Sequence, residues 1–246
     1  MFRFSTKLAP SPSSLERAWN AGFRNTELWL DEDQLRDIEP AIRSATDHRF
    51  RYVPHFPNRG QFDIADLERT AQLYRGLDCG CLVIHEPMKS RYGHALSDID
   101  PGMVLAVENG RQQGRSFREW AARHEHLTLD VEHLWKFTLS DGPFAEMMDF
   151  LAEFLEEFGH KLRHVHLPGY LVGAPEHRPA YVAPDFSEAV WRALADFGYE
   201  GFVVSEADVE FQTDLHLRRD VILFDRWLAA YGHSSESRGK TADVSP

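Results

Sequence analysis

The sequence predicts an α/β protein folded as a single (β/α)8 barrel, and three observations carry that expectation. Eight strand-like runs recur along the chain with helical patterns between them, and such alternation requires a parallel sheet. Eight units within 246 residues match a closed barrel better than an open doubly wound sheet. No G-x-G-x-x-G or P-loop follows any strand, which removes the main signature of a dinucleotide-binding sheet.

The strands are read at Phe2–Ser5, Thr26–Leu30, Arg51–Phe56, Cys81–His85, Val104–Glu108, Thr128–Asp130, Arg163–Leu167 and Phe202–Glu206, from apolar runs or alternation bounded by turn residues. The first helix, Ser13–Ala21, opens after Ser11-Pro12, residues suited to a helix start. Asp31–Ser44 carries acidic residues at its beginning, which suit the helix dipole. Ile64–Gly76, Phe117–Glu125, Gly142–Phe158, Phe186–Phe197 and Leu215–Tyr231 complete the helical set. After the fourth strand, Met88 to Pro101 is polar and interrupted, predicting a shortened fourth helix of one or two turns. The barrel is assigned to residues 1–232. Residues 233–246 are rich in Ser, Gly and charge without apolar periodicity, predicting a disordered tail and no second domain.

Hydrophobic residues at 43%, with six Trp and seventeen Phe, describe a globular protein. No apolar run is long enough to cross a bilayer. The amino end lacks the apolar core of a signal peptide, so a cytoplasmic location is expected. A net charge of −12 repels a phosphate backbone at long range, disfavouring nucleic acid as a partner. Cys79 and Cys81, two apart on one strand, suit buried thiols better than a disulfide. Trp120, Trp191 and Trp227 on the outer helices suit either the core or a homo-oligomer contact.

Function is expected at the C-terminal mouth, where strand ends and the following loops build the sites of such barrels. His164 and His166 lie two apart and share one face of the seventh strand, His166 nearer the mouth. His55, His85, Glu108, Asp130 and Glu206 end the third, fourth, fifth, sixth and eighth strands. Two buried glutamates converging on one cavity repel unless a cation lies between them. Glu108, Asp130, His166 and Glu206 therefore form a hard-oxygen set with one nitrogen, suited to a divalent Mn, Mg, Zn or Fe ion. Asp130 alone also suits a helix cap. His133 follows in a D-x-x-H pair, as a metal or substrate contact, and Glu176-His177-Arg178 can hold an anionic or polyhydroxy ligand. Lys89, Arg91 and Arg111 follow strand ends as candidates for a phosphate clamp.

Ala106-Val107-Glu108-Asn109, Asp130-x-x-His133, His164-Val165-His166 and Ser205-Glu206, in this order, resemble the xylose-isomerase-like barrel superfamily, which holds sugar isomerases and epimerases and the AP endonucleases. The resemblance runs from Ala18 to Glu206. In the epimerase branch it implies Glu108, Asp130, His166 and Glu206 as metal ligands and Glu108 and Glu206 as proton-transfer groups acting through a metal-stabilised enediolate. It also implies substrate contacts at His133 and Arg178. In the endonuclease branch His55, His85, His133 and His177 match further zinc ligands, but Pro175 stands where that branch has an Asp, and Pro168 where a polar residue follows the histidine.

The expectation is a divalent-metal-dependent isomerase or epimerase of a small sugar, sugar phosphate or related polyol, with His133, Arg178, His55, His85 and His177 facing a carbohydrate substrate. The alternatives are a zinc phosphodiesterase acting on abasic DNA and a barrel that binds metal or sugar without catalysis.

Overall fold

A computed structural model of the chain describes residues 1–232 in full and the backbone as far as Thr241. The tail expected to be disordered, 233–246, lies outside the residues described in full. Eight parallel strands close into a barrel in chain order: β1 (Arg3–Leu8), β2 (Asn25–Trp29), β3 (Arg51–His55), β4 (Leu82–His85), β5 (Leu105–Glu108), β6 (Leu127–Asp130), β7 (Leu162–His166) and β8 (Phe202–Ser205). β8 pairs back onto β1, Phe202 opposite Arg3, so no strand is left as an edge.

The helices form where the sequence supplies their ends. In α1 (Pro12–Ala21) the Ser11 hydroxyl accepts from the Ser14 N–H, and Gly22 closes the helix at φ 115°, a left-handed geometry that glycine adopts without strain. The stretch expected as one helix over Asp31–Ser44 is two, α2 (Glu32–Arg36) and α3 (Glu39–Thr46). Pro40 lies in the first turn of α3, where its missing N–H is tolerated, whereas inside a continuous helix it would break the ladder. Capping boxes open both α2 (Asp31 with Gln34) and α4 (Ile64–Gly76; Asp63 with Asp66).

The fourth helix is not shortened: α5 spans Glu86–Ile99, fourteen residues. Pro87 sits in its first turn, and Met88, Tyr92 and Leu96, four apart, bury one face. The polar residues that suggested an interruption, among them Ser90, Arg91, His94 and Ser97, occupy the exposed face. An amphipathic helix with a narrow apolar stripe reads as polar overall. The set is completed by α6 (Arg115–Arg123), a single turn α7 (Val131–His133), a π-helical turn at Leu134–Thr138, α8 (Phe144–Phe158), α9 (Pro184–Phe197) and α10 (Asp214–Thr241).

Two apolar layers hold this frame. The larger lies between strands and helices and includes the fully buried Phe117, Trp120 and Trp191; a buried side chain the size of Phe contributes about 1.5–3 kcal/mol. Trp120, Trp191 and Trp227 all belong to it. The smaller fills the barrel's lower interior with Val53, Cys81, Val83, Ala106, Phe202 and Val204. These residues precede the strand-end polar groups by two or four positions, so the pleat puts them directly beneath. Cys79 and Cys81 are buried free thiols. No helix among the described residues is long and apolar enough to cross a membrane.

Candidate metal centre

The strand-end groups converge above the lower plug. One ligand atom each from Glu108, Asp130, His166 and Glu206 lies within 4.8 Å of the others, and all four residues are buried. His166 Nδ1 stands 3.0 Å from Glu206 Oε2 and 3.5 Å from Glu108 Oε1. Its other nitrogen, Nε2, is 2.8 Å from Glu27 Oε2, and His164 Nε2 is 2.6 Å from the same oxygen. One carboxylate oxygen on β2 thus receives both imidazole N–H groups of β7. That leaves Nδ1 of His166 as the face turned to Glu108 and Glu206, the arrangement in which a carboxylate orients a histidine ligand.

Asp130 is set by a different device. Asn109, completely buried after β5, accepts from the Asp130 N–H at 2.6 Å and donates to the Asp130 carbonyl at 3.0 Å. Its side chain thereby continues the ladder between β5 and β6 past the last backbone pair. Asp130 Oδ1 caps the turn that follows by accepting from the His133 N–H at 2.8 Å. Its Oδ2 has no hydrogen-bond partner, nor do Glu206 Oε2 and His166 Nδ1. The cap therefore uses one oxygen of the carboxylate and leaves the other turned to the centre. The near neighbours of these three atoms are one another and a further imidazole, His166 Nδ1 standing 3.0 Å from Glu206 Oε2 and His133 Nδ1 3.1 Å from Asp130 Oδ2, so buried polar atoms crowd one space without hydrogen bonds among them, and a divalent cation fits that donor set.

Burial opposes charge throughout the centre, and the partners overcome it at the glutamates and His166 but not at Asp130. Glu206 is held well below the usual carboxylate range by His166 and Lys7, and Glu108 by His85 and His166. Glu27 is likewise held low by its two histidines and Lys7. His166 is driven well above its ordinary value, against burial, by Glu206, Glu27 and Glu108. Asp130 moves up, through burial and then the neighbouring Glu206 and Glu108 charges.

Among the described residues, three further groups that could hold an ion adjoin the four-residue centre: Glu27 with His164 and His166, described above, and two that flank it. His55 Nε2 and His85 Nε2 approach the same atom, Glu108 Oε2, at 3.2 and 3.1 Å. His55 Nδ1 lies 2.8 Å from the Phe56 carbonyl, which fixes the proton there and turns the Nε2 lone pair toward Glu108 in the neutral ring. On the other side Asp130, His133 and His177 bring one ligand atom each within 4.8 Å. His133 Nδ1 lies 3.2 Å from the Asn109 carbonyl, and its ring is pushed up, against burial, by Asp130, Glu108 and Glu206.

A mouth cavity of about 490 Å³ opens above, lined by Lys7, Trp29, His85, Glu108, His133, His177 and Glu206 among others. Arg178 is not part of that lining. It is half-buried, its carbonyl accepts from the Gly169 N–H at 2.7 Å, and its Nε has no partner. Of the clamp candidates only Arg111 reaches the cavity. Lys89 lies 3.2 Å from His124 Nδ1, and Arg91 donates to the Gly60 carbonyl.

Lys7 and Glu27 are the residues at this centre that sequence reasoning missed. Lys7 on β1 is paired with Glu206 and lies 3.7 Å from Glu27. Glu27 is completely buried. The sequence offers only their positions: Lys7 shares a pleat face with Arg3 and Ser5, and Glu27 with Asn25 and Trp29, and neither row names the partners on other strands.

No protein-family pattern matches the chain, and no curated protein matches it in sequence. Solved structures do match the fold. A D-tagatose 3-epimerase-like protein superposes with a TM-score of 0.61 at 15% identity, covering 95% of this chain and 100% of that one. D-allulose 3-epimerase from Methylomonas sp., solved in complex with D-allulose, gives 0.58 at 15% identity over 92% and 96%. An L-ribulose 3-epimerase gives 0.58 at 14% identity over 100% of both chains.

Proposed function

From a chain with the xylose-isomerase-like barrel fold, we propose a divalent-metal-dependent isomerase or epimerase acting on a small sugar, sugar phosphate or related polyol. One observation carries the reading: Asp130 Oδ2, His166 Nδ1 and Glu206 Oε2 point without hydrogen-bond partners into a space shared with Glu108 at the mouth of the barrel. The fold likeness to ketose 3-epimerases supports it.

A divalent ion in that ligand set supplies Lewis acidity to adjacent carbonyl and hydroxyl oxygens of the substrate. The chain's own groups handle the protons. Glu206, kept ionised against burial by His166 and Lys7, accepts the proton from the carbon beside the carbonyl. Glu108 returns one to the opposite face. It draws that proton from His85, which stands 3.1 Å away at the half-exposed edge of the cavity and is pushed up, against burial, by Glu108 itself. Lys7 holds Glu206 in place from β1. The walls of the cavity limit the substrate to a small molecule.

The test is deuterium exchange into a panel of ketoses and aldoses, followed by NMR with added Mn²⁺ or Mg²⁺. Glu206→Gln is expected to lower exchange by about 10²–10⁴-fold with an unchanged circular dichroism spectrum. Undiminished exchange in that variant would remove Glu206 from the mechanism.

A second reading, zinc-dependent phosphodiester cleavage at abasic DNA, is favoured by the convergence of His55 and His85 on Glu108 Oε2. It requires more than one metal per chain and nicking of an abasic duplex. One ion per chain with no nicking would dispose of it.

A further inference from the structure

The barrel has a second cavity at its opposite end, unconnected with the proton chemistry of the mouth. It has a volume of about 450 Å³ and is lined by three arginines, Arg3, Arg51 and Arg163, with Asp78, Tyr52 and Phe202 among its other walls. The strand pleat explains why the arginines meet there. Arg3, Ser5 and Lys7 share the inward face of β1, and Arg51, Val53 and His55 share that of β3. Lys7 and His55 belong to the metal centre, so Arg3 and Arg51 occupy the other ends of the same two rows. Arg163, one residue before the inward-facing His164, joins them from the rim.

None of the three guanidinium groups is paired with a carboxylate among the described residues. Arg3 donates one bond to the Glu200 carbonyl and Arg163 one to the His160 carbonyl, so each has further N–H donors to offer. Some arginines elsewhere on this acidic chain are matched to carboxylates, as with Arg118 on Glu153 and Glu157, or Arg75 on Asp100, whereas the three here share one cavity without such a match. Only one carboxylate, that of Asp78, lines the basal cavity. Three like charges gathered around one cavity in a protein of net charge −12 repel one another, and an anion relieves that repulsion. The planar guanidinium fork matches carboxylate and phosphate oxygens two at a time.

We propose that the cavity at the base of the barrel is a binding site for a small polyanion, held by Arg3, Arg51 and Arg163. The bound molecule is an effector or a stabilising ligand and not a substrate, because no histidine or pair of carboxylates lines the cavity. Its recognition requires at least two anionic groups, one for each of two guanidinium forks. Phosphate esters and polycarboxylates both meet that requirement.

Calorimetric titration of the full chain with inorganic pyrophosphate, and separately with tricarballylate, at constant ionic strength tests the proposal and distinguishes the two sources. Saturable binding at one site per chain is expected for at least one of them. Arg51→Gln and Arg163→Gln, both at exposed positions, are each expected to weaken it by about 10-fold or more, the loss typical of a charge-assisted bond. Arg192→Gln, on α9 and away from the cavity, controls for general charge and is expected to leave binding unchanged. The proposal is overturned if neither anion binds saturably, or if Arg51→Gln and Arg163→Gln bind as tightly as the parent chain.

Discussion

Replacing Glu27 with glutamine isolates the contribution of a residue outside the Glu108, Asp130, His166 and Glu206 set. Glu27 Oε2 accepts from His164 at 2.6 Å and from His166 at 2.8 Å, with all three side chains fully buried. Each bond to a buried carboxylate contributes about 1.5–3 kcal/mol. Because both imidazoles share Oε2, a glutamine oxygen at that position still accepts from both, but as a neutral acceptor, roughly half as strong as a carboxylate. The N–H₂ group takes the Oε1 position, 3.7 Å from Lys7. His166 thereby loses one of the three carboxylate charges around it, and with it the anion behind its ring.

The fold suffers less than the two weakened bonds suggest, since the neutral amide also escapes the burial cost of a charge. Metal affinity bears the change. Loss of a carboxylate behind a histidine ligand typically weakens binding by about 10–100-fold, equivalent to about 1.4–2.8 kcal/mol. Titration of the metal-free protein with Mn²⁺, alongside thermal melts of both proteins without metal, separates the two effects. A Glu27→Gln protein that binds Mn²⁺ within two-fold of the parent would refute the reasoning.

Further outcomes follow from the same geometry. His166→Ala is expected to abolish stoichiometric metal binding and His164→Ala to retain it, as judged by metal analysis after gel filtration; equal loss in both would place the two histidines in the same role. Burial, and then Asp130, pushes Glu132 from an ordinary 4.5 up to about 8. Its contribution to the stability of the metal-free protein is therefore full below pH 4.5 and lost as the pH rises through about 8, by at most roughly 5 kcal/mol. Urea unfolding at pH 5 and pH 8 is expected to show this slope in the parent and a smaller one in Glu132→Gln; identical slopes would contradict it.

The mouth of the barrel was legible in the sequence because each strand from the third to the eighth ends its apolar run on a polar residue, and burying such a residue on a closed sheet requires partners. His166, Glu108, Asp130 and Glu206 could be read together for that reason. The reading failed where polarity was taken to mean solvent. Ser90, Arg91 and His94 do face solvent, but on a full-length helix whose other side, Met88, Tyr92 and Leu96, is buried. Lys7 and Glu27 were passed over because a charge on a short strand ordinarily marks an outward face. Here the charges neutralise one another inside the barrel, a relation between β1, β2, β7 and β8 that no local pattern contains. Arg178 shows the converse: a motif position identified on one side of the loop does not fix where the side chain lies when its backbone is tied to Gly169.

The sharing of a single Glu27 oxygen by two imidazoles bears on how this centre could be transplanted. A designer who moved only Glu108, Asp130, His166 and Glu206 into another barrel would carry over four donors and no control of which histidine nitrogen is free. The smallest unit that keeps its chemistry is a five-strand arc: β5 to β8 for the donors, and β2 from across the barrel for the oxygen that sets the tautomer. Such a graft is confined to recipients whose second and seventh strands face each other at the same height, a condition on barrel shear and not on sequence.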